Sequence, residues 1–119
     1  MRILVALLVS GAFAVTGCGG QNDCERLLET TYNAWSDACS GKSGECCYCK
    51  CWNDGHRMND YDSSTKACEC NIAMPDHVPD DSCTDAYKAQ VQSCYDNEPL
   101  CVEGLKAQAT SQCTASPLQ

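Results

Sequence analysis

The chain has 119 residues, 13 of them cysteine, and a formal charge of −8 from 8 basic and 16 acidic side chains. So much cysteine in so short a chain is the composition of a small disulfide scaffold in an oxidising compartment, not of a cytosolic enzyme. The acidity disfavours nucleic acid and anionic lipid headgroups as partners.

In chain order, Met1-Arg2 gives a positive start, Ile3 to Val9 is an unbroken apolar run, and Ser10-Gly11-Ala12 opens a region of small residues. That order predicts a secretory signal peptide over residues 1–17, too short to span a bilayer. Two cleavage sites compete within it. Ala12-Phe13-Ala14 has the small-x-small form used by ordinary signal peptidase. Val15-Thr16-Gly17-Cys18 resembles the lipobox of bacterial lipoproteins, which implies that Cys18 is lipidated and becomes the new N-terminus. Parity supports the lipobox, because setting Cys18 aside leaves twelve cysteines, an even set that can close completely. The resemblance further implies a bacterial cell-envelope protein whose membrane partner is reached through its acyl chains. Gly19 after the cysteine favours the outer membrane over the inner. Loss of Arg2 with the leader makes the formal charge −9.

Residues 18–23, Cys-Gly-Gly-Gln-Asn-Asp, read as a short tether, because paired glycines are costly to order. A cysteine-rich domain follows over 24–113, with a flexible tail over 114–119. Cys24, Leu27, Leu28, Tyr32, Trp35 and Cys39 recur at spacings of three and four, which predicts an amphipathic helix over 24–39, ended by Ser40-Gly41. Cys47, Cys49 and Cys51 alternate with Tyr48, Lys50 and Trp52, and Cys68 and Cys70 flank Glu69. This period of two predicts a hairpin, 46–52 with 67–72, whose long tip runs from Asn53 to Lys66. Pro75 and Pro79 mark an irregular connector. Cys83, Tyr87, Val91 and Cys94 predict a second helix over 82–95, and Pro99 starts a third over 99–113. The expected fold is therefore a small disulfide-rich domain, mainly α with a short β-hairpin.

Large aliphatic residues are few, so disulfides must supply much of the stability. All of Cys24, Cys39, Cys46, Cys47, Cys49, Cys51, Cys68, Cys70, Cys83, Cys94, Cys101 and Cys113 are expected to pair. Adjacent Cys46 and Cys47 should take different partners. The separations in the helical hairpin allow two rungs, Cys94 with Cys101 and Cys83 with Cys113. This arrangement resembles the twin-cysteine helical hairpin of several small proteins.

No catalytic constellation emerges. His56 and His77 are the only histidines, both in polar segments, with no motif-spaced nucleophile. Gly41-Lys42-Ser43 has the end of a phosphate-binding loop, but Ser36 stands where that motif needs glycine. Asp60-Tyr61-Asp62 begins like a calcium loop, but Thr65 and Asn71 stand where glycine and glutamate are needed. Neither an enzyme nor a cofactor is expected. The Cys-Cys and Cys-x-Cys repeats between Cys46 and Cys70 resemble the thiolate clusters of metallothioneins. Tyr48, Trp52 and an oxidising compartment weigh against a metal. The leading expectation is a lipid-anchored binding or structural module that meets a protein partner through Asn53 to Lys66. A metal-binding periplasmic protein and a secreted eukaryotic cysteine-rich effector or inhibitor are the alternatives.

Overall fold

The computed structural model describes residues 23–119. The expected leader, the expected lipidation site Cys18 and all of the expected tether but Asp23 lie outside them. Helix α1 (Asp23–Cys39) begins with Asp23 and Glu25 in its first turn, where carboxylates meet the positive end of the helix dipole. It stops because Gly41 takes φ +75°, a left-handed backbone that lets Lys42 N–H reach the Cys39 carbonyl at 3.0 Å. Its inner face carries Cys24, Leu27, Ala34 and Cys39.

The segment from Cys47 to Asn53 is a helix, α2, and not the strand its alternation predicts. Cys46, in extended backbone, caps it, and its Sγ accepts from Cys49 N–H at 3.4 Å. The reason lies in where the sulfurs must go. A strand would point Cys47, Cys49 and Cys51 to one side. A helix turns about 100° per residue, which puts Cys47 and Cys51 about 40° apart and Cys49 on the opposite side. Cys49 thereby bonds Cys39 at the end of α1, while Cys47 and Cys51 bond Cys68 and Cys70.

The hairpin exists, but its first strand lies further on, inside the stretch expected to be the tip. Strands β1 (His56–Arg57) and β2 (Asp60–Asp62) run antiparallel to β4 (Ile72–Ala73) and β3 (Ala67–Glu69) respectively. The register pairs Arg57 with Ile72 and Tyr61 with Cys68. Asp62 closes the turn: its Oδ1 accepts from Ser64 N–H at 2.8 Å, Ser64 Oγ at 2.6 Å and Thr65 N–H at 3.3 Å. These bonds, that of the Ser64 hydroxyl first, hold its carboxyl below the usual carboxylate range.

A 3₁₀ turn (Asp80–Ser82) leads to the helical hairpin, α3 (Asp85–Asp96) and α4 (Glu98–Thr114). Thr84 caps α3 by accepting from Tyr87 N–H at 3.2 Å, and Pro99 sits in the first turn of α4, where a missing N–H costs nothing. Of the two expected rungs, Cys94–Cys101 forms. Cys83 instead bonds Cys24, and Cys113 bonds Cys46. Helix α1 packs on both α3 and α4, so the sulfurs at the open end of the hairpin meet α1 and the segment after it before they can meet each other.

Two small cores result. Cys24, Leu27, Val78, Val91 and Cys94 form one between α1, α3 and the proline-containing connector. Cys39, Cys46 and Cys49 form the other, with Tyr48, Trp52 and Cys113 against them. The C-terminus is pinned beside this second core, where a flexible tail was expected. Ser116 is fully buried, Cys47 N–H donates to its carbonyl at 2.7 Å, and Leu118 N–H donates to the Glu45 carbonyl at 2.9 Å. The Tyr61 hydroxyl donates to the Pro117 carbonyl.

Candidate functional site

All twelve cysteines expected to pair do so, with Cα–Cα distances from 5.0 to 6.0 Å. Cys46 and Cys47 take different partners, Cys113 and Cys68. Two of these bonds lie side by side. Sγ of Cys51 is 3.8 Å from that of Cys47 and 3.7 Å from that of Cys68, and Sγ of Cys68 is 3.7 Å from that of Cys70. The four sulfurs fall within 4.8 Å of one another, as do those of Cys46, Cys49 and Cys113. A metal needs thiolates, and a disulfide sulfur offers none. Each group would hold a cation only after reduction.

A concave feature that combines aromatic rings with an arginine and a histidine lies elsewhere. Successive turns of α1 carry Tyr32 and Trp35, and α2 carries Tyr48 and Trp52; the helices are locked together by Cys39–Cys49, which brings the four rings into one cluster. The Trp35 and Trp52 centroids are 5.5 Å apart with planes at 85°, and Trp35 stands at 77° to Tyr48. Edge-to-face packing of this kind satisfies the ring quadrupoles. Trp52 Nε1–H donates to Ser36 Oγ at 3.0 Å, and the Tyr32 hydroxyl donates to the Pro75 carbonyl at 2.6 Å. Trp35 Nε1–H is buried and has no partner among the described residues.

Trp35, Tyr48 and Trp52 floor a half-open cleft of about 240 Å³. Its wall is His56, Arg57 and Met58, from β1 and the residue after it. Met74 closes one side, and Gln108 and Gln112, one turn apart on α4, close the other. His56 Nδ1–H donates to the Asp54 carbonyl at 3.0 Å, which leaves Nε2 as the ring's second polar atom. Burial raises the Tyr48 hydroxyl pKa, and the Arg57 guanidinium opposes that rise; the same two causes act on Tyr32. Arg57 therefore lies within electrostatic reach of both tyrosine hydroxyls.

Part of this site falls in the segment marked for recognition, Asn53 to Lys66. That segment is not a free tip: it holds the end of α2 and strands β1 and β2, so its side chains have fixed places. Trp35, Tyr48, Trp52, Met74, Gln108 and Gln112 were not anticipated as lining. Aromatic residues on the inner face of α1 and among the cysteines were the available signal. Nothing in the sequence joins them to glutamines more than 50 positions away. Of the other candidates, His77 is exposed beside Asp76 in the connector, away from the cleft, and Asp60 and Asp62 lie in β2. Gly41 to Ser43 forms the turn after α1.

No protein-family model matches this chain, and comparison with curated proteins and with solved structures gives no match either. The candidate site rests on its own geometry.

Proposed function

We propose that this chain is a disulfide-stapled binding module of the bacterial cell envelope, anchored by lipid on Cys18, that recognises its partner through the cleft framed by His56, Arg57 and Met58. The observation that carries this reading is the cleft itself: an aromatic floor held rigid by Cys39–Cys49, with its wall on a disulfide-bounded ribbon. Recognition elements on a rigid scaffold lose little entropy on binding. The lining holds no serine, threonine, carboxylate or free thiol to act as nucleophile beside His56, which supports binding in preference to catalysis. No helix among the described residues is long and apolar enough to cross a membrane, and on this reading the anchor is lipid on Cys18.

Two measurements test it. Intact mass of the protein from the native membrane fraction should show a lipid adduct on Cys18 and no free thiols. A bare, secreted chain would favour a eukaryotic effector or inhibitor instead. Replacing His56, Arg57 and Met58 together by alanine touches no cysteine, and should keep six disulfides while abolishing capture of the partner by cross-linking. Undiminished capture would move recognition away from the cleft.

The proximity of the Cys47, Cys51, Cys68 and Cys70 sulfurs favours metal binding as the second reading. It requires stoichiometric metal and free thiols in the native protein, and the same mass measurement reports both.

A further inference from the structure

On the reading that the cleft is the recognition site, its chemistry specifies the ligand further. We propose that it takes a small organic anion with an aromatic or cyclic apolar body, the carboxylate seated by Arg57 and the body laid against Trp35 and Trp52.

Charge is the first argument. The chain carries 16 carboxylate side chains against 8 basic ones, yet no carboxylate lines the cleft. Its permanent charge is Arg57, and its titratable imidazole is His56. Three cations of the domain are engaged elsewhere, Lys50 with Asp54 at 3.6 Å, Lys106 with Asp37 at 3.7 Å and Arg26 over the Tyr95 ring at 4.2 Å, while Lys42, Lys66 and Lys88 line no part of the cleft. Arg57 has no ion pair among the described residues. A planar guanidinium beside an aromatic wall matches a carboxylate through paired N–H donors.

The second argument is the unpartnered donor. A buried N–H with no acceptor pays its desolvation without return, and native structures seldom keep one without a reason. Trp35 Nε1–H is such a donor, on a residue that floors the cleft. The nitrogen is closed to solvent as the ring stands, so a ligand oxygen meets it only if the indole turns toward the cleft.

Size and walls give the third. At about 240 Å³ the cleft falls below the roughly 300–1,000 Å³ of pockets for drug-sized ligands, so it fits a metabolite-sized molecule. Ring faces and the thioethers of Met58 and Met74 suit a flat apolar body, since methionine adapts its shape and contacts ring edges well. Gln108 and Gln112 add hydrogen bonding without charge. Two indoles and a phenol would also suit an organic cation, as in aromatic cages. Arg57 in the wall and the lack of any lining carboxylate argue for the anion.

Calorimetry on the disulfide-intact protein with three probes of one shape decides the matter: phenylacetate, neutral phenylacetamide and cationic phenethylamine. Phenylacetate should bind one to one, at least tenfold more tightly than the amide, with the amine weakest, and should shift the Trp35 indole N–H resonance. Arg57→Gln should erase the preference of acid over amide, and Arg57→Lys should keep part of it. Since Arg57 is exposed, six disulfides and an unchanged circular dichroism spectrum are expected in both variants. Equal binding of the three probes, preference for the amine, or phenylacetate binding indifferent to Arg57→Gln would overturn the anion assignment while leaving the cleft as a binding site. Absence of binding by all three overturns the small-ligand proposal. The broader reading then stands or falls separately on partner capture by the variant with alanine at His56, Arg57 and Met58.

Discussion

Ser116 is the buried hydroxyl through which the C-terminus grips the second core. Its Oγ–H donates to the Gln112 carbonyl at 2.8 Å, and the same oxygen accepts from Tyr48 N–H at 3.2 Å, one of the first-turn donors of α2 that no helical carbonyl can reach. Ser116→Ala removes both bonds at a site with no solvent to replace them, and should cost about 1–3 kcal/mol, read as a lower urea midpoint with unchanged slope. A surface pair behaves differently. His77 Nδ1 and Asp76 Oδ1 lie 2.9 Å apart in the open, and their hydrogen bond raises the histidine pKa and lowers the aspartate's. A raised folded value means that the His77 contribution is complete below its unfolded pKa and fades as pH rises through the folded one. The Asp76 contribution is complete above its unfolded pKa and fades as pH falls through its folded value. The pair thus acts only between the two folded pKa values. NMR titration should place the His77 midpoint above the ordinary histidine value, and Asp76→Asn should bring it back down.

At the scale of elements, two glycines with equal space around them should respond oppositely to alanine. A Cβ at Gly41 or Gly104 would meet nothing within 4 Å, so packing is neutral at both. Gly41 holds φ +75° where α1 ends, and alanine there should cost about 1–2 kcal/mol. Gly104 lies inside α4, where Gly104→Ala should stabilise by about 1 kcal/mol. Thermal midpoints moving in opposite directions would confirm both assignments, and a matching sign would refute one of them. Much of this was legible in the sequence because local signals decide it: three- and four-residue spacing for α1, the Cys83, Tyr87, Val91 and Cys94 face for α3, Pro99 for α4, Gly41 for the stop. The start of α3 was expected at 82 and lies at Asp85, behind the Thr84 cap. The segment from Cys47 to Cys51 was not. Its period of two reflects a composition crowded with cysteine, and the choice of helix follows from partners at Cys39, Cys68 and Cys70 on different sides. The first strands of the hairpin, His56–Arg57 and Asp60–Asp62, were missed for a different reason: they are two and three residues long and mostly polar, too short for a period to show. The cleft was legible only in the segment that carries its wall, because its floor and far side come together through tertiary packing.

Across the whole molecule, the disulfide pattern decides how stability is distributed. Cys94–Cys101 joins residues 7 apart at a turn that hydrogen bonds already shape, whereas Cys46–Cys113 joins residues 67 apart and ties the last helix to the start of α2. Cross-linking stabilises chiefly by restricting the unfolded chain, and the effect grows with the logarithm of the loop closed. On that relation, replacing both members of Cys94–Cys101 by alanine should cost about 2 kcal/mol, and the same change at Cys46 and Cys113 about 4 kcal/mol. Shortcuts through Cys47–Cys68 and Cys94–Cys101 shorten the longer loop, which narrows the difference but cannot reverse it, because the remaining path is still several times longer. Loss of the Cys46 cap on α2 acts in the same direction. The comparison presupposes the pairing, which non-reducing peptide mapping checks directly: Cys83 should be recovered with Cys24 and Cys113 with Cys46. Recovery of Cys83 with Cys113 would mean that α3 and α4 close on each other without α1. The order of the two double-variant stabilities would then carry no information about the loops, and the cleft between α1, α2 and α4 would lose the bond that holds α4 against α2.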